Sequence, residues 1–334
     1  MSRLKLGVIG AGSWGRNHVR TVASLAEAEL AGVCDTRDSV RDSLTRQYPA
    51  AFITADVDAL LDRVEAVVIA SPATTHADMA RRAIAAGKPC LVEKPFALRV
   101  SDAEAVAQAA AAAGIPVLAG HLLVFHPAVD ALRTLVAGGE LGRVLYMYGL
   151  RVNLGQVRAD ENALWSFGPH DVSVALHLLG EAPVRVTAQG SSYLRPGVED
   201  VVFLHMEFAS GAMAHVQLSW LDPHKERKLT VVGDKKMVVF DDMEPREKLR
   251  IYDKGVTRPP EYASWGESLA VREGDIFIPK IANVEPLAAE LAHFVRAARG
   301  AEPPRAGAVD GVRVVRVLEA ATRSLANGGT PVSL

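Results

Sequence analysis

The chain has 334 residues, enough for about two domains at ~150 residues each. Hydrophobic residues make up 49% and charged residues 23%, the balance of a globular protein with a substantial core. The net charge of −2 gives no electrostatic reason for a nucleic-acid or anionic-membrane partner, and no apolar run reaches the ~20 residues that span a bilayer.

The first third of the chain alternates strand and helix. Short apolar runs at 4–9, 29–34, 51–53, 66–70, 90–92 and 116–120 read as parallel strands covered on both faces. Between them, 75–86 reads as a helix closed by Gly87 and Pro89. Ser101 with Glu104 forms a capping box, opening a helix that Gly114 and Pro116 end. Strand–helix units in this order predict an α/β fold, a doubly wound parallel sheet of Rossmann type over 1–120.

After Gly120 the pattern changes. A helix at 128–137 precedes longer segments at 143–154, 184–191, 201–208, 212–220, 229–232 and 237–240, separated by Gly, Pro, Ser or Asp turns. Several alternate apolar and polar residues, which suits an antiparallel sheet with one wet face. Helices are expected at 172–179, 286–298 and 311–326, and 254–282 reads as a long loop. Residues 121–334 are therefore expected to form a second domain of α+β type with a large, mostly antiparallel open sheet. An exposed sheet is an association surface, so a homodimer or homotetramer through it is expected.

Cys34 and Cys90 both fall in buried strands, so no disulfide framework is implied. Met1-Ser2-Arg3 leads straight into a strand, which does not read as a secretory signal, and a cytoplasmic location is expected. With no His-Glu-x-x-His and no cysteine cluster, no metal is expected.

Gly10-Ala11-Gly12-Ser13-Trp14-Gly15 follows a strand and opens a helix, the context of a dinucleotide fingerprint. Gly10 permits the tight turn, Gly12 lets the backbone approach a pyrophosphate, and Gly15 lets helix and strand pack closely. Asp35, twenty residues after Gly15, ends the next strand and suits the adenosine ribose hydroxyls. A carboxylate there favours NAD over NADP, although Arg37 offers a cation for a 2′-phosphate. Ser71-Pro72 and His76 lie after the fourth strand, along the same groove; Pro72 reads equally as a helix start and His76 as a surface helix residue. Lys94, in Glu93-Lys94-Pro95, ends the fifth strand, where ligands bind in open α/β sheets.

These motifs, with Gly168-Pro169-His170 through Gly180 and Glu285-Pro286-Leu287 through Phe294, resemble the glucose–fructose oxidoreductase, inositol dehydrogenase and rhizopine catabolism (Gfo/Idh/MocA) family. The resemblance covers nearly the whole chain. It implies an NAD-binding first domain, a second domain for substrate and oligomerisation, and oxidation of a sugar or cyclitol. By position it implies Glu93 at the nicotinamide ribose, Lys94 at the reacting hydroxyl and His170 as the catalytic histidine, with a Lys94–Pro95 bond that is commonly cis. The family often carries aspartates where this chain has Ser166 and Ser173, and Asp171 is the nearest substitute. Neutral-pH chemistry favours His170 as base and Lys94 as electrostatic catalyst, and the reverse stays open.

A narrower resemblance runs through Arg151, Asn153, Arg158, Asn162, Trp165 and His170. It is to the bacterial branch that oxidises C3 of UDP-activated N-acetylated hexoses on the way to lipid A. Arginines would meet the diphosphate of such a UDP-sugar. The alternatives are the corresponding uronate, a free sugar or inositol, a glycosidase using transient C3 oxidation by held NAD, and a non-catalytic NAD-sensing regulator.

Overall fold

The computed structural model describes residues 2–155, 157–158, 161–257 and 270–334. Packing divides the chain into two compact units, Met1–Phe125 with Val284–Arg316, and His126–Asn283 with Val317–Leu334.

In the first unit, β1 (Leu4–Ile9), α1 (Gly15–Ser24), β2 (Ala28–Cys34), α2 (Asp38–Gln47), β3 (Phe52–Thr54), α3 (Val57–Leu61), β4 (Ala66–Ile69), α4 (His76–Ala85), β5 (Cys90–Glu93), α5 (Val100–Ala113) and β6 (Val117–Gly120) follow in order. All strand pairs are parallel, in the order β3-β2-β1-β4-β5-β6. The order reverses between β1 and β4, and that switch point opens the ligand crevice of a doubly wound sheet. Leu6, Val8, Val33, Val68, Leu91 and Leu118 are fully buried, as continuous apolar strands covered on both faces must be. The capping box expected at Ser101 does not form. The cap of α5 is Arg99, and Glu104 is instead drawn to Arg316, whose Nη2 donates at 2.6 Å.

In the second unit, α6 (Pro127–Ala137), β7 (Val144–Leu154), α7 (Ala163–Leu179), β8 (Pro183–Ser191), β9 (Val201–Phe208), β10 (Met213–Ser219), β11 (Leu221–Gly233), β12 (Met237–Asp241), β13 (Leu249–Tyr252), β14 (Gly255–Thr257), β15 (Ala270–Arg272) and β16 (Ile276–Phe277) come in turn. The chain ends with α8 (Pro286–Ala298), α9 (Ala308–Ala326) and β17 (Val332–Ser333). Nine strands form one sheet in the order β16-β13-β12-β11-β7-β10-β9-β8-β17, antiparallel except for the β7–β10 pair. α7 packs on β7, β9 and β10. Tyr146, Tyr148, Phe203 and Met213 are exposed, and the sheet that carries them is where the sequence expects a second copy. No helix among the described residues is long and apolar enough to cross a membrane.

Three differences from the sequence reading have local causes. α7 begins at Ala163, well before the expected 172, because Asn162 caps it and Pro169 is accommodated inside the helix. β11 runs back to Leu221 through the charged stretch Asp222 to Lys228; it pairs with β7 at Leu221 and again from Glu226, with no apolar alternation to announce it. Of the loop expected at 254–282, residues 258–269 lie outside the described residues, while β14 pairs with β15 and β16 joins β13.

The domain break expected after residue 120 also needs correction. The first unit continues to Phe125 and takes back Val284–Arg316. The apolar stripe of α8 (Leu287, Leu291, Phe294 and Val295) enters the same core as Val19 and Val22 of α1. A stripe of that spacing must be buried, and the first unit supplies the surface. Leu291→Ala is accordingly expected to destabilise the first unit by about 2–5 kcal/mol. Urea unfolding followed by first-unit and second-unit probes separately would check it; loss confined to the second unit would contradict this placement of α8.

Candidate functional site

β1 ends at Ile9, and the chain turns at Gly10 with φ of +88°. A Cβ on Gly10 would lie 2.6 Å from the Ser71 backbone, and one on Gly15 would lie 2.0 Å from the Gly10 carbonyl oxygen. Both positions therefore demand glycine for protein packing alone. Gly12 differs: its Cβ would meet only Arg37 Nη2, at 3.8 Å. Nothing among the described residues requires glycine there, whereas close approach of a pyrophosphate does. The N-terminus of α1 has no side-chain cap and no first-turn acid, which leaves the positive end of its dipole uncompensated for an anion. The loop fits a dinucleotide. Ser13 and Trp14 are its exposed residues.

Asp35 is buried at the end of β2. Its Oδ2 accepts from Ala11 N–H at 2.8 Å and from Arg37 Nη2 at 2.9 Å; its Oδ1 accepts from Arg37 N–H and Nε, both at 3.0 Å. Burial alone would raise this carboxyl, but the Arg37 and Ala11 bonds outweigh it and hold it down to about 2. Each oxygen thus already has two donors. A ribose diol reaches Asp35 by displacing one of them, and Arg37, with its side chain 57% exposed, is the donor that leaves at least cost.

Ser71 and Pro72 follow β4 on the other side of the switch point, and Ser71 Oγ bonds Thr75 Oγ1 at 2.7 Å. His76 is buried. Its ring nitrogens lie 2.9 Å from the Ser71 carbonyl oxygen and 2.8 Å from that of Pro95. It braces the loop after β4 against the loop after β5 instead of standing on the surface.

Glu93 ends β5 and is buried. Its Oε1 accepts from Trp14 Nε1 at 2.6 Å and lies 2.7 Å from His18 Nε2; its Oε2 accepts from Lys94 N–H at 2.9 Å. Burial would raise this carboxyl too, but His18, Trp14 and the Lys94 amide together hold it below the ordinary carboxylate range. The residue that the resemblance assigns to the nicotinamide ribose is thereby bonded to the glycine-loop tryptophan, to α1 and to the backbone of Lys94. Lys94 is half-buried, and the Lys94–Pro95 bond is cis.

The second-unit residues separate into two groups. His170 is half-buried on α7, seven residues beyond its first residue. Asn153 and Arg158 have accessible side chains, Arg158 paired to Glu161 at 3.0 Å. Arg151, Asn162 and Trp165 carry structural duties instead. Arg151 is buried, and its Nε donates to Asp171 Oδ2 at 2.5 Å. That pair engages the Arg151 charge and ties Asp171 to β7. Asn162 Oδ1 caps α7 through Trp165 N–H, and its Nδ2 donates to Glu199 at 2.6 Å. Trp165 Nε1 donates to Thr322 Oγ1 at 3.0 Å.

The sequence reading assigned no site role to His18, His121 or Glu290, all buried in the first unit. Signals existed for two of them. His18 sits one turn after Trp14 beside the apolar Val19 and Val22, and Glu290 interrupts the buried stripe of α8.

Residues 4–121 match the family model described as oxidoreductase family, NAD-binding Rossmann fold, and residues 129–239 match the GFO/IDH/MocA C-terminal domain. UDP-N-acetylglucosamine 3-dehydrogenase of Acidithiobacillus ferrooxidans is 30% identical over 321 residues, covering 94% of this chain and 95% of that protein. A solved structure of that enzyme superposes with a TM-score of 0.85 at 26% identity, covering 98% of this chain and 99% of the other. Inositol 2-dehydrogenase 2 of Saccharopolyspora erythraea is 31% identical over 224 residues, 64% of this chain and 66% of that protein. The crystal structure of GenD2 from gentamicin A biosynthesis, in complex with NAD, superposes with a TM-score of 0.83 at 28% identity, covering 100% of this chain and 97% of the other.

Burial lowers the His121 imidazole to about 4, against ~6.5 in an unfolded chain, with the Glu93 charge opposing the fall. The neutral form is the one folded, so this contribution to stability is whole above ~6.5 and is lost as pH falls toward about 4. His121→Gln is expected to show a shallower fall of unfolding free energy across that window, by up to about 1.4 kcal/mol per pH unit. Denaturant melts at several pH values would check it, and parallel curves would contradict a buried neutral histidine.

Proposed function

The chain belongs to the Gfo/Idh/MocA family of NAD-binding oxidoreductases, and from that premise we propose that it oxidises the C3 hydroxyl of a UDP-N-acetylated hexose, with UDP-N-acetylglucosamine as first choice. The observation that carries the reading is the near full-length likeness, in sequence and in fold, to an enzyme of that name. A second reading, oxidation of inositol, is favoured by the similar identity to an inositol dehydrogenase over a shorter stretch.

Bound at the glycine loop, NAD supplies the acceptor for the hydride. Gly12, the open N-terminus of α1 and Asp35 are the residues that would hold it. Asp35 supports NAD over NADP, because its carboxylate repels a 2′-phosphate. Arg37, once turned away, is the residue that would temper that preference.

His170 is assigned as the group that takes the hydroxyl proton, since an imidazole titrates near neutral pH. Lys94 is assigned to steady the developing alkoxide. Glu93 holds the Lys94 backbone amide, so the lysine leaves the sheet at a fixed point. With Arg151 committed to Asp171, the diphosphate of a UDP-sugar is assigned to Arg158, with Asn153 beside the same strand end.

The test is a panel of UDP-N-acetylglucosamine, UDP-N-acetylglucosaminuronate, free glucose and myo-inositol with NAD, read as NADH absorbance in solution. The UDP-amino sugar is expected to turn over fastest. Turnover of inositol or free sugar alone would overturn the choice, and glycoside cleavage without released NADH would move the protein to the hydrolase class. With the active sugar, Lys94→Ala is expected to lose at least about a hundredfold in kcat while NAD still binds. Unchanged turnover would remove Lys94 from the chemistry.

A further inference from the structure

Six buried polar atoms of the first unit have no hydrogen-bond partner among the described residues. They are His18 Nδ1, Thr21 Oγ1, both ring nitrogens of His121 and both carboxyl oxygens of Glu290. His18 and Glu290 are 0% exposed, and Thr21 and His121 are 2% exposed. The four side chains come from segments that pack on one another. His18 and Thr21 lie on α1, Glu290 on α8, and His121 heads the turn Leu122–Phe125; α8 packs against both α1 and that turn.

The cluster also borders Glu93. His18 contacts its carboxylate directly, and His121 follows Gly120, the strand partner of Glu93 in β6. Burial, and then the nearby charge of Glu93, holds the Glu290 carboxyl well above the ordinary range, so it is a neutral acid that can both donate and accept. Native proteins satisfy such interior groups with ordered water where the site is polar and has several partners to offer. Among the described residues no three or more His, Cys, Asp or Glu are arranged to hold a metal ion, which argues against a cation as the occupant.

We propose that His18, Thr21, His121 and Glu290 enclose ordered water behind Glu93, and that Glu290 is a positioning residue acting through this water and His18 on the carboxylate that fixes Trp14 and the Lys94 backbone. Trp14 belongs to the glycine loop and Lys94 to the end of β5, so one buried acid steadies both sides of the cofactor crevice. The inference rests on the assignment of this crevice to NAD, and not on which sugar is oxidised.

Two measurements test it independently. A high-resolution crystal structure of the wild-type protein is expected to show ordered water within hydrogen-bond reach of both Glu290 and His18 Nδ1; a dry contact overturns the proposal. By calorimetry with NAD, Glu290→Leu is expected to bind roughly tenfold to a hundredfold more weakly. Glu290→Gln, the uncharged isostere, is expected to recover most of that loss. Equal loss in both variants, or normal binding by the leucine variant, overturns the positioning role. Should Glu290→Leu not fold, the crystallographic result still decides. Should no panel sugar react while these results hold, the substrate reading fails and this one stands.

Discussion

The carboxylate of Glu93 is the contact on which the site of the first unit depends. It sits at the end of an interior parallel strand, is almost wholly removed from water, and accepts from three different segments. A buried carboxylate survives only when its hydrogen bonds replace the water it lost. Here those bonds come from the glycine loop, from α1 and from the residue that follows in the chain. The need to satisfy one charge therefore fixes the position of Trp14, His18 and Lys94 together.

A second carboxylate, Asp35, closes the other end of the crevice under a different regime. It too is buried, yet its main partner is a half-exposed arginine from its own turn. Glu93 is held by the fully buried His18, by the backbone amide of Lys94 and by the Trp14 ring of the glycine loop. Asp35 is held by a group that can move into water. The first arrangement suits a residue that sets geometry, the second a residue that must exchange its partner for a ligand. Both carboxyls lie below the ordinary range for the same reason, that hydrogen bonds to the charged form exceed the penalty of burial.

The parallel sheet was readable because strands covered on both faces are continuous apolar runs, and the Gly10 to Gly15 turn marks the first of them. The return of α8 to the first unit was not readable, because linear order says nothing about where an apolar stripe finds its partner. The charged half of β11 carried no alternation, and the start of α7 was hidden behind Gly168-Pro169, a pair that ordinarily reads as a break. At the site, the glycines, Asp35 and Lys94 announced themselves by spacing. Arg151 reads from sequence as a ligand for anions, and its pairing with the buried Asp171 shows only in the structure. His18 and Glu290 showed only as polar residues within apolar stripes, and such residues acquire meaning from what they face.

The claim that the Glu93 charge organises this crevice is tested most directly by calorimetric titration of NAD into Glu93→Gln. The substitution keeps the shape and removes the charge, so the bonds from Trp14 and Lys94 fall from the ~1.5–3 kcal/mol of a charged acceptor toward the ~1 kcal/mol of a neutral one. NAD is expected to bind at least about tenfold more weakly to a variant whose circular dichroism matches the wild type. Wild-type affinity in that folded variant would contradict it.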